Sequence, residues 1–361
     1  MQNSLISRFP MLSTLVLPIH WALQSTGCSP AGSLGKKLIR TRLKSRTKSA
    51  RSEQMSPLDT HFFSESFSYS LALPATLDPS FESALRYVLR NPGSLVRPRL
   101  IYHMATAYGL NSTCAEQLAV ALEYFHTASL LFDDLPCMDN ASERRGVPCT
   151  HLVFGEESAI LTALALINRA YALTWRAVAG SPHHRQQQAL DFIERCLGVN
   201  GLLNGQSLDL HFSALPPTRE TTEHIARGKT VSLVRLTLVL PAMLGGAAAR
   251  ELQLIERISA FWGLSYQIVD DLKDVLQSTA QSGKTAARDT LLGHPNIAAV
   301  IGIPAAVERL SRFIALGDRV LHRLLAARPE LEFLETLRVR LEEELSQVMD
   351  DSCALVGAAA L

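Results

Sequence analysis

Six aspartates in two short clusters dominate the chemistry this chain can offer: Asp133-Asp134-Leu135-Pro136-Cys137-Met138-Asp139 and Asp270-Asp271-Leu272-Lys273-Asp274. Each cluster closes an apolar run, His126 to Phe132 in the first case and Phe261 to Val269 in the second. Carboxylates at the edge of hydrophobic helices repel one another unless a cation sits between them. Hard divalent cations with oxygen ligands are the usual solution, and Mg2+ in particular bridges a few carboxylates to substrate phosphates. Arg144-Arg145 follows the first cluster and Lys229-Thr230 precedes the second. Metal, guanidinium and ammonium around one cavity describe a diphosphate site.

The elements that hold these residues read as helices. Asp270 and Asp274 are four apart and project from one face of a continuous helix, with Gln267 on the same face. Asp133 and Asp139 are six apart and diverge on a regular helix. Pro136 is expected to disturb the last turn and so re-aim Asp139 towards the metal. Strand signals are nearly absent, and helical periodicity covers most of 80–350, broken by short Gly/Pro/Asn punctuation. Thr113-Cys114-Ala115-Glu116 reads as a capping box that opens the helix leading to Asp133. Ser181-Pro182 reads as an N-cap and a first helical residue. Pro216-Pro217-Thr218 separates the helix ending near His211 from the one carrying Lys229. Segments 155–180 and 229–249 are apolar on more than one face, which implies central burial in a multi-helix bundle.

With 361 residues, 47% of them apolar, the chain can bury a sizeable core. All 34 acidic residues lie at Glu53 or later, against 26 basic ones, so the body carries about −8 and the head +9. Half of the sixteen positions from Lys36 to Arg51 are basic, with Ser and Thr interleaved. This head reads as an upstream extension without a fold of its own and Met55 as the working start, as a transit peptide, or as a basic arm. Residues 1–57 are therefore set apart from one all-α body, 58–361. Phe9 to Leu23 is too short, and too interrupted by Pro10 and Pro18, to span a bilayer. The six cysteines form no CxxC pair, which argues against zinc and disulfides and for a reducing compartment, taken as the cytoplasm.

Several stretches together resemble the trans-polyprenyl diphosphate synthase family. They are His126 to Asn140 with Arg144-Arg145-Gly146, then Gly205-Gln206-Ser207-Leu208-Asp209, Gly228-Lys229-Thr230, Tyr266 to Asp274, and Gly283-Lys284-Thr285. The similarity runs over roughly 80–300 with the motifs in order, and the two residues inserted in the first motif look like the bacterial and plant farnesyl and geranylgeranyl synthases. The resemblance implies the all-α isoprenoid synthase bundle with a central cavity, a homodimer, and no nucleic-acid partner. It implies a head-to-tail prenyl transfer, in which an allylic diphosphate (dimethylallyl, geranyl or farnesyl) ionises, isopentenyl diphosphate attacks, and the released diphosphate takes the proton. Three Mg2+ ions are expected. On matching positions Asp133, Asp139 and Asp270 hold metal directly, and Asp134, Asp271 and Asp274 assist. Arg144, Lys229, Gln267 and Lys284 grip the allylic diphosphate, with Thr230 and Gln267 near the ionising carbon. Arg97, His126 and Arg145 bind isopentenyl diphosphate.

Two residues and two stretches depart from the family pattern: Ser94 and His294 stand where lysines are usual, and Ala141-Ser142-Glu143 and Thr162-Ala163-Leu164 also differ. Small Ala128 and Ser129, five and four residues before Asp133, leave room for a long tail and make geranylgeranyl diphosphate the expected product, with farnesyl diphosphate as the alternative. A terpene cyclase on the same scaffold is disfavoured by the second Asp-rich motif, and a non-catalytic subunit by the six retained aspartates.

Overall fold

The structure, a computed structural model, describes residues 57–276 and 293–358. Met55–Leu361 forms a unit of its own. The helices follow as α1 (Pro57–Tyr69), α2 (Pro79–Arg90), α3 (Val96–Ala107), α4 (Ser112–Asp133), α5 (Thr150–Phe154), α6 (Glu156–Ala179) and α7 (His183–Leu197). Then come α8 (Leu202–Leu210), α9 (Arg219–Ala226), α10 (Ser232–Leu244), α11 (Ala249–Leu276), α12 (Ile297–Ile301), α13 (Ile303–Ala327) and α14 (Leu334–Ala358). Lys284 and its Gly283-Lys284-Thr285 motif lie outside the described residues.

Among the described residues the architecture is all-α, as expected, apart from one two-stranded ribbon. The α4 helix packs lengthwise on α6 and α3, α10 sits between α7, α3 and α11, and α11 is flanked by α13 and α14. The 229–249 segment is central as its pattern requires, since Leu236 and Leu238 on α10 are fully buried. Each such leucine contributes about 1.5–3 kcal/mol by leaving water. The α6 helix departs from the expectation. Ile160, Leu161, Leu164, Tyr171 and Trp175 stay exposed along one stripe, continued by Leu152 and Val153 of α5. Its second apolar face is therefore not a core face of the single chain.

Two helix starts also differ from the sequence reading. Asn111, rather than Thr113, caps α4 by accepting the Cys114 N–H at 2.8 Å. Glu116 instead accepts the Ser66 hydroxyl at 2.6 Å and ties α1 to α4. Pro182, not Ser181, occupies the cap of α7. The ribbon, β1 (Glu143–Arg144) and β2 (Val147–Pro148), went unread because each strand has only two residues. Its turn is Arg145-Gly146, both at positive φ (58° and 76°), the backbone of a two-residue hairpin whose twist matches its strands. No helix among the described residues is long and apolar enough to cross a membrane.

Candidate active site

The first aspartate cluster begins where α4 ends. Asp133 is its last residue and Asp134 its C-cap. The chain then doubles back at Leu135-Pro136, so that the Asp139 N–H donates to the Asp133 carbonyl at 2.9 Å and the Ala141 N–H to the Asp134 carbonyl at 3.1 Å. Asp139 thus returns beside Asp133 through a closed loop rather than through a bent helical turn. The ribbon that follows sends its adjacent arginines to different partners. Arg144 donates twice to Asp134 Oδ1, at 2.9 and 2.6 Å. Arg145, at the turn, donates to the Asn91 carbonyl at 2.9 Å and lies 3.6 Å from Glu123.

Lys229 and Thr230 sit on a π-helical turn, Arg227–Val231, between α9 and α10. Such turns recur at functional sites because the extra residue pushes side chains off the helical register. Gly228 meets Gly205 of α8 backbone to backbone. A Cβ on Gly205 would fall 2.4 Å from the Lys229 nitrogen, and one on Gly228 would fall 2.9 Å from Gly205 Cα. That close approach lets Lys229 Nζ donate to Asp209 Oδ2 at 3.0 Å. Burial works against the Lys229 ammonium, but Asp209, Asp133 and Asp139 outweigh it and hold it above the usual lysine range. Burial, with Asp139 and Asp209 nearby, pushes Asp133 up to about 6, against the pull of Lys229 and Arg144. His294, half-buried, places Nδ1 3.5 Å from Asp209 Oδ2 and 3.9 Å from Asp139 Oδ1.

Thr230 faces the other way and joins the site to the second cluster. Its hydroxyl donates to Gln267 Oε1 at 2.5 Å, and Gln267 Nε2 donates to Asp271 Oδ1 at 2.8 Å. Gly263, one turn earlier on α11, permits this contact, because a Cβ there would meet Val231 Cγ2 at 2.9 Å. Asp271 is only 1% exposed. Its other oxygen accepts the Ile297 N–H at 2.7 Å, and its carbonyl accepts Asn296 Nδ2 at 3.0 Å. Its carboxylate therefore anchors α12 and orients Gln267. Asp270 and Asp274 are half-buried, one turn apart on the unbroken α11. A small recess is lined by Asp209, Lys229, Gln267 and Asp271, among others.

A cationic pocket adjoins α4. His126 Nδ1 is buried without a hydrogen-bond partner. Burial, joined by Arg97, Arg145 and Arg144, holds His126 well below the usual histidine range, so the ring is neutral among three guanidinium groups. On the α6 side, Phe125 stacks edge-on against Tyr171 with ring centres 4.9 Å apart. Ala128, fully buried, turns towards the Phe125 side of α4. Ser129 shares the Asp133 face, its hydroxyl donating to the His126 carbonyl at 2.8 Å.

The donor set fits a hard divalent cation. It is all oxygen, and the repulsion of Asp139 and Asp209, which adds to burial in raising Asp133, is what a cation relieves. Among the described residues no three His, Cys, Asp or Glu side chains are gathered closely enough to hold a metal by themselves. That suits ions whose remaining ligands are substrate phosphates and waters, as Mg2+ commonly has. Two residues in these contacts carried no assigned role from the sequence. Asp209 stands in the sequence only as the acid of the Gly205-Gln206 stretch, and Glu123 as the one acid in the apolar run Leu118 to Phe132.

This geometry belongs with a known family. The sequence pattern of the family described as polyprenyl synthetase matches residues 78–316. A putative chloroplastic geranylgeranyl pyrophosphate synthase 8 of Arabidopsis thaliana is 33% identical over 299 residues, which is 80% of this chain and 83% of that protein. Geranylgeranyl pyrophosphate synthase 4 of the same plant is 36% identical over 67% of this chain and 66% of its own length. A geranyltransferase from Helicobacter pylori, solved with magnesium and isoprenyl diphosphate, superposes with a TM-score of 0.65 at 25% identity, covering 82% of this chain and 98% of that one. The chain belongs to the polyprenyl synthetase family. Its activity is that of a short-chain prenyl diphosphate synthase, a prenyltransferase on an all-α isoprenoid synthase scaffold.

Proposed function

We propose that the chain condenses isopentenyl diphosphate with an allylic diphosphate, whether dimethylallyl, geranyl or farnesyl, and that its main product is geranylgeranyl diphosphate. The observation that carries the reading is the crowded group of Asp133, Asp139, Asp209 and Lys229, one residue away from the Thr230–Gln267 contact that reaches the second cluster. Mg2+ supplies charge neutralisation for the departing diphosphate. Three ions, with Asp133, Asp139 and Asp270 as direct ligands and Asp274 assisting, complete that assignment. Asp134 and Asp271 act by holding Arg144 and Gln267. Lys229, Arg144, Gln267 and the undescribed Lys284 grip the allylic diphosphate, with Thr230 beside the ionising carbon. Arg97, His126 and Arg145 bind isopentenyl diphosphate. The allylic carbon–oxygen bond breaks with its electron pair leaving on the diphosphate. The double bond of isopentenyl diphosphate then supplies the new carbon–carbon bond, and a proton passes to the released diphosphate.

Relatives named for geranylgeranyl pyrophosphate synthesis and the small side chains at Ala128 and Ser129 support the product length. The exposed stripe on α6 supports a homodimer, because a contiguous apolar patch of this kind marks an interface. The buried free cysteines Cys114, Cys149 and Cys196 go with a reducing interior, either the cytoplasm or, with the basic head as a transit peptide, an organelle. Incubation of the purified protein with Mg2+, isopentenyl diphosphate and each allylic primer, followed by chromatographic sizing, tests this. A twenty-carbon diphosphate is expected, and a chain that extends no primer refutes the reading.

A further inference from the structure

A charged side chain inside an apolar helix needs a reason. Glu123 lies on α4 one turn before His126 and is 2% exposed. Its Oε1 stands 3.6 Å from Arg145 Nη2, while Oε2 has no hydrogen-bond partner. Burial lifts its carboxyl above the usual range against the pull of Arg97 and Arg145. A buried carboxylate with one oxygen unsatisfied is costly, and an apolar side chain of similar volume would serve packing better. Packing therefore does not explain it. The same two guanidinium groups also bear on His126, and the Asn91 carbonyl holds Arg145 from its other side at 2.9 Å. The Arg145 fork is thus fixed between a carbonyl and a carboxylate.

We propose that Glu123 is a positioning residue of the isopentenyl diphosphate pocket, its carboxylate keeping Arg145 aimed while the pocket is empty. The proposal rests on the assignment of that pocket to Arg97, His126 and Arg145 made above. Guanidinium groups gathered in one region repel each other, and a carboxylate held against one of them offsets part of that repulsion. A guanidinium has five N–H donors in a rigid fork, so engaging one edge on the protein leaves another edge for phosphate oxygens. Without the carboxylate the incoming diphosphate must itself orient the Arg145 side chain, and the ordering cost falls on binding.

The test is Glu123→Gln in the full chain, which keeps shape and removes charge, with both substrates varied in steady state and thermal melting followed in parallel. The KM for isopentenyl diphosphate is expected to rise about tenfold or more, as for a lost charge-assisted contact, with the KM for the allylic substrate unchanged and melting still cooperative. An unchanged KM for isopentenyl diphosphate, or an equal rise in both, overturns the proposal. Arg97→Ala separates the two layers of argument. If it leaves that KM untouched, the pocket assignment fails and the proposal with it. If it raises that KM while Glu123→Gln does not, only the positioning role fails. Should the glutamine variant not fold, Glu123→Asp retracts the carboxylate by one methylene and is expected to give the same selective rise; a wild-type KM there overturns the proposal.

Discussion

Asp271 offers the sharpest test of how the second cluster works, because its partners distinguish an anchor from a metal ligand. One oxygen accepts the Gln267 amide at 2.8 Å and the other the Ile297 N–H at 2.7 Å. A carboxylate only accepts, so the Gln267 NH2 must face it, which leaves Oε1 for the Thr230 hydroxyl. Asp271→Ala leaves both donors unsatisfied in a nearly dry site, and with hydrogen bonds to charged groups worth about 1.5–3 kcal/mol each, the loss is about 3–6 kcal/mol. That is a large share of a typical total of about 5–15 kcal/mol. Asp271→Asn is subtler. Its single oxygen can serve Ile297, but its NH2 then confronts the Gln267 NH2, and relief requires the Gln267 amide to flip, turning its NH2 towards the Thr230 hydroxyl in place of Oε1. A destabilisation of about 1–3 kcal/mol is expected, with kcat lowered and the half-saturating Mg2+ concentration unchanged. Urea denaturation and Mg2+ titration of initial rates measure both quantities. Full rescue of Asp271→Asn by excess Mg2+, with wild-type stability, would refute the anchoring argument and make Asp271 a ligand.

Asp133→Ala or Asp270→Ala should lower turnover by about a thousandfold or more, since the leaving-group charge loses its metal, and excess EDTA should do the same to the wild type; wild-type rates in EDTA would contradict the metal assignment. Leu164→Glu, in the middle of the exposed α6 stripe, should convert a dimer to a monomer by light scattering, and a wild-type chain that is monomeric at micromolar concentration removes the premise. Ala128→Tyr should shorten the product by at least one isoprene unit, read by chromatography of the dephosphorylated alcohols, and an unchanged distribution places the stop elsewhere. Removal of residues 1–54 should leave kcat intact, and loss of activity in a folded truncated protein would show that the head takes part.

What the sequence revealed and what it hid divide along physical lines. Helix-borne chemistry was legible because periodicity fixes geometry: Gln267, Asp270 and Asp274 share the unbroken α11, as a spacing of three and four requires. The first cluster was half legible. Pro136 marks the end of the helix, but no local rule fixes the path of a loop that returns Asp139 to the Asp133 carbonyl. Contacts between distant segments were hidden. The Lys229–Asp209 pair depends on two glycines, Gly205 and Gly228, touching across α8 and the π turn. Each glycine was seen within a motif, yet nothing in the sequence says that they meet. Packing around α6 misled for a related reason, since an all-round apolar helix signals burial without saying whether its own chain supplies the cover.

The two missing lysines are best weighed through the charges that remain. Ser94 is exposed and brings no cation, and its carbonyl accepts Arg99 Nη2 at 2.9 Å in the loop before α3. Arg144 is held by Asp134 and is assigned above to the allylic diphosphate. On the proposed assignment the isopentenyl pocket is left with Arg97 and Arg145, against one buried carboxylate, Glu123. A pocket with few cations depends more on where each one points than a pocket with several, because misaimed charge has no substitute. That raises the value of the Asn91 and Glu123 contacts to Arg145. At the allylic end the compensation runs through geometry as well. His294 leans on Asp209 and Asp139, the same carboxylates that hold Lys229. His294 thus sits between an acid of the first cluster and Asp209. On the proposed site assignments the two replaced lysines leave the six aspartates untouched and shift the burden of anion binding from the number of charges to their placement.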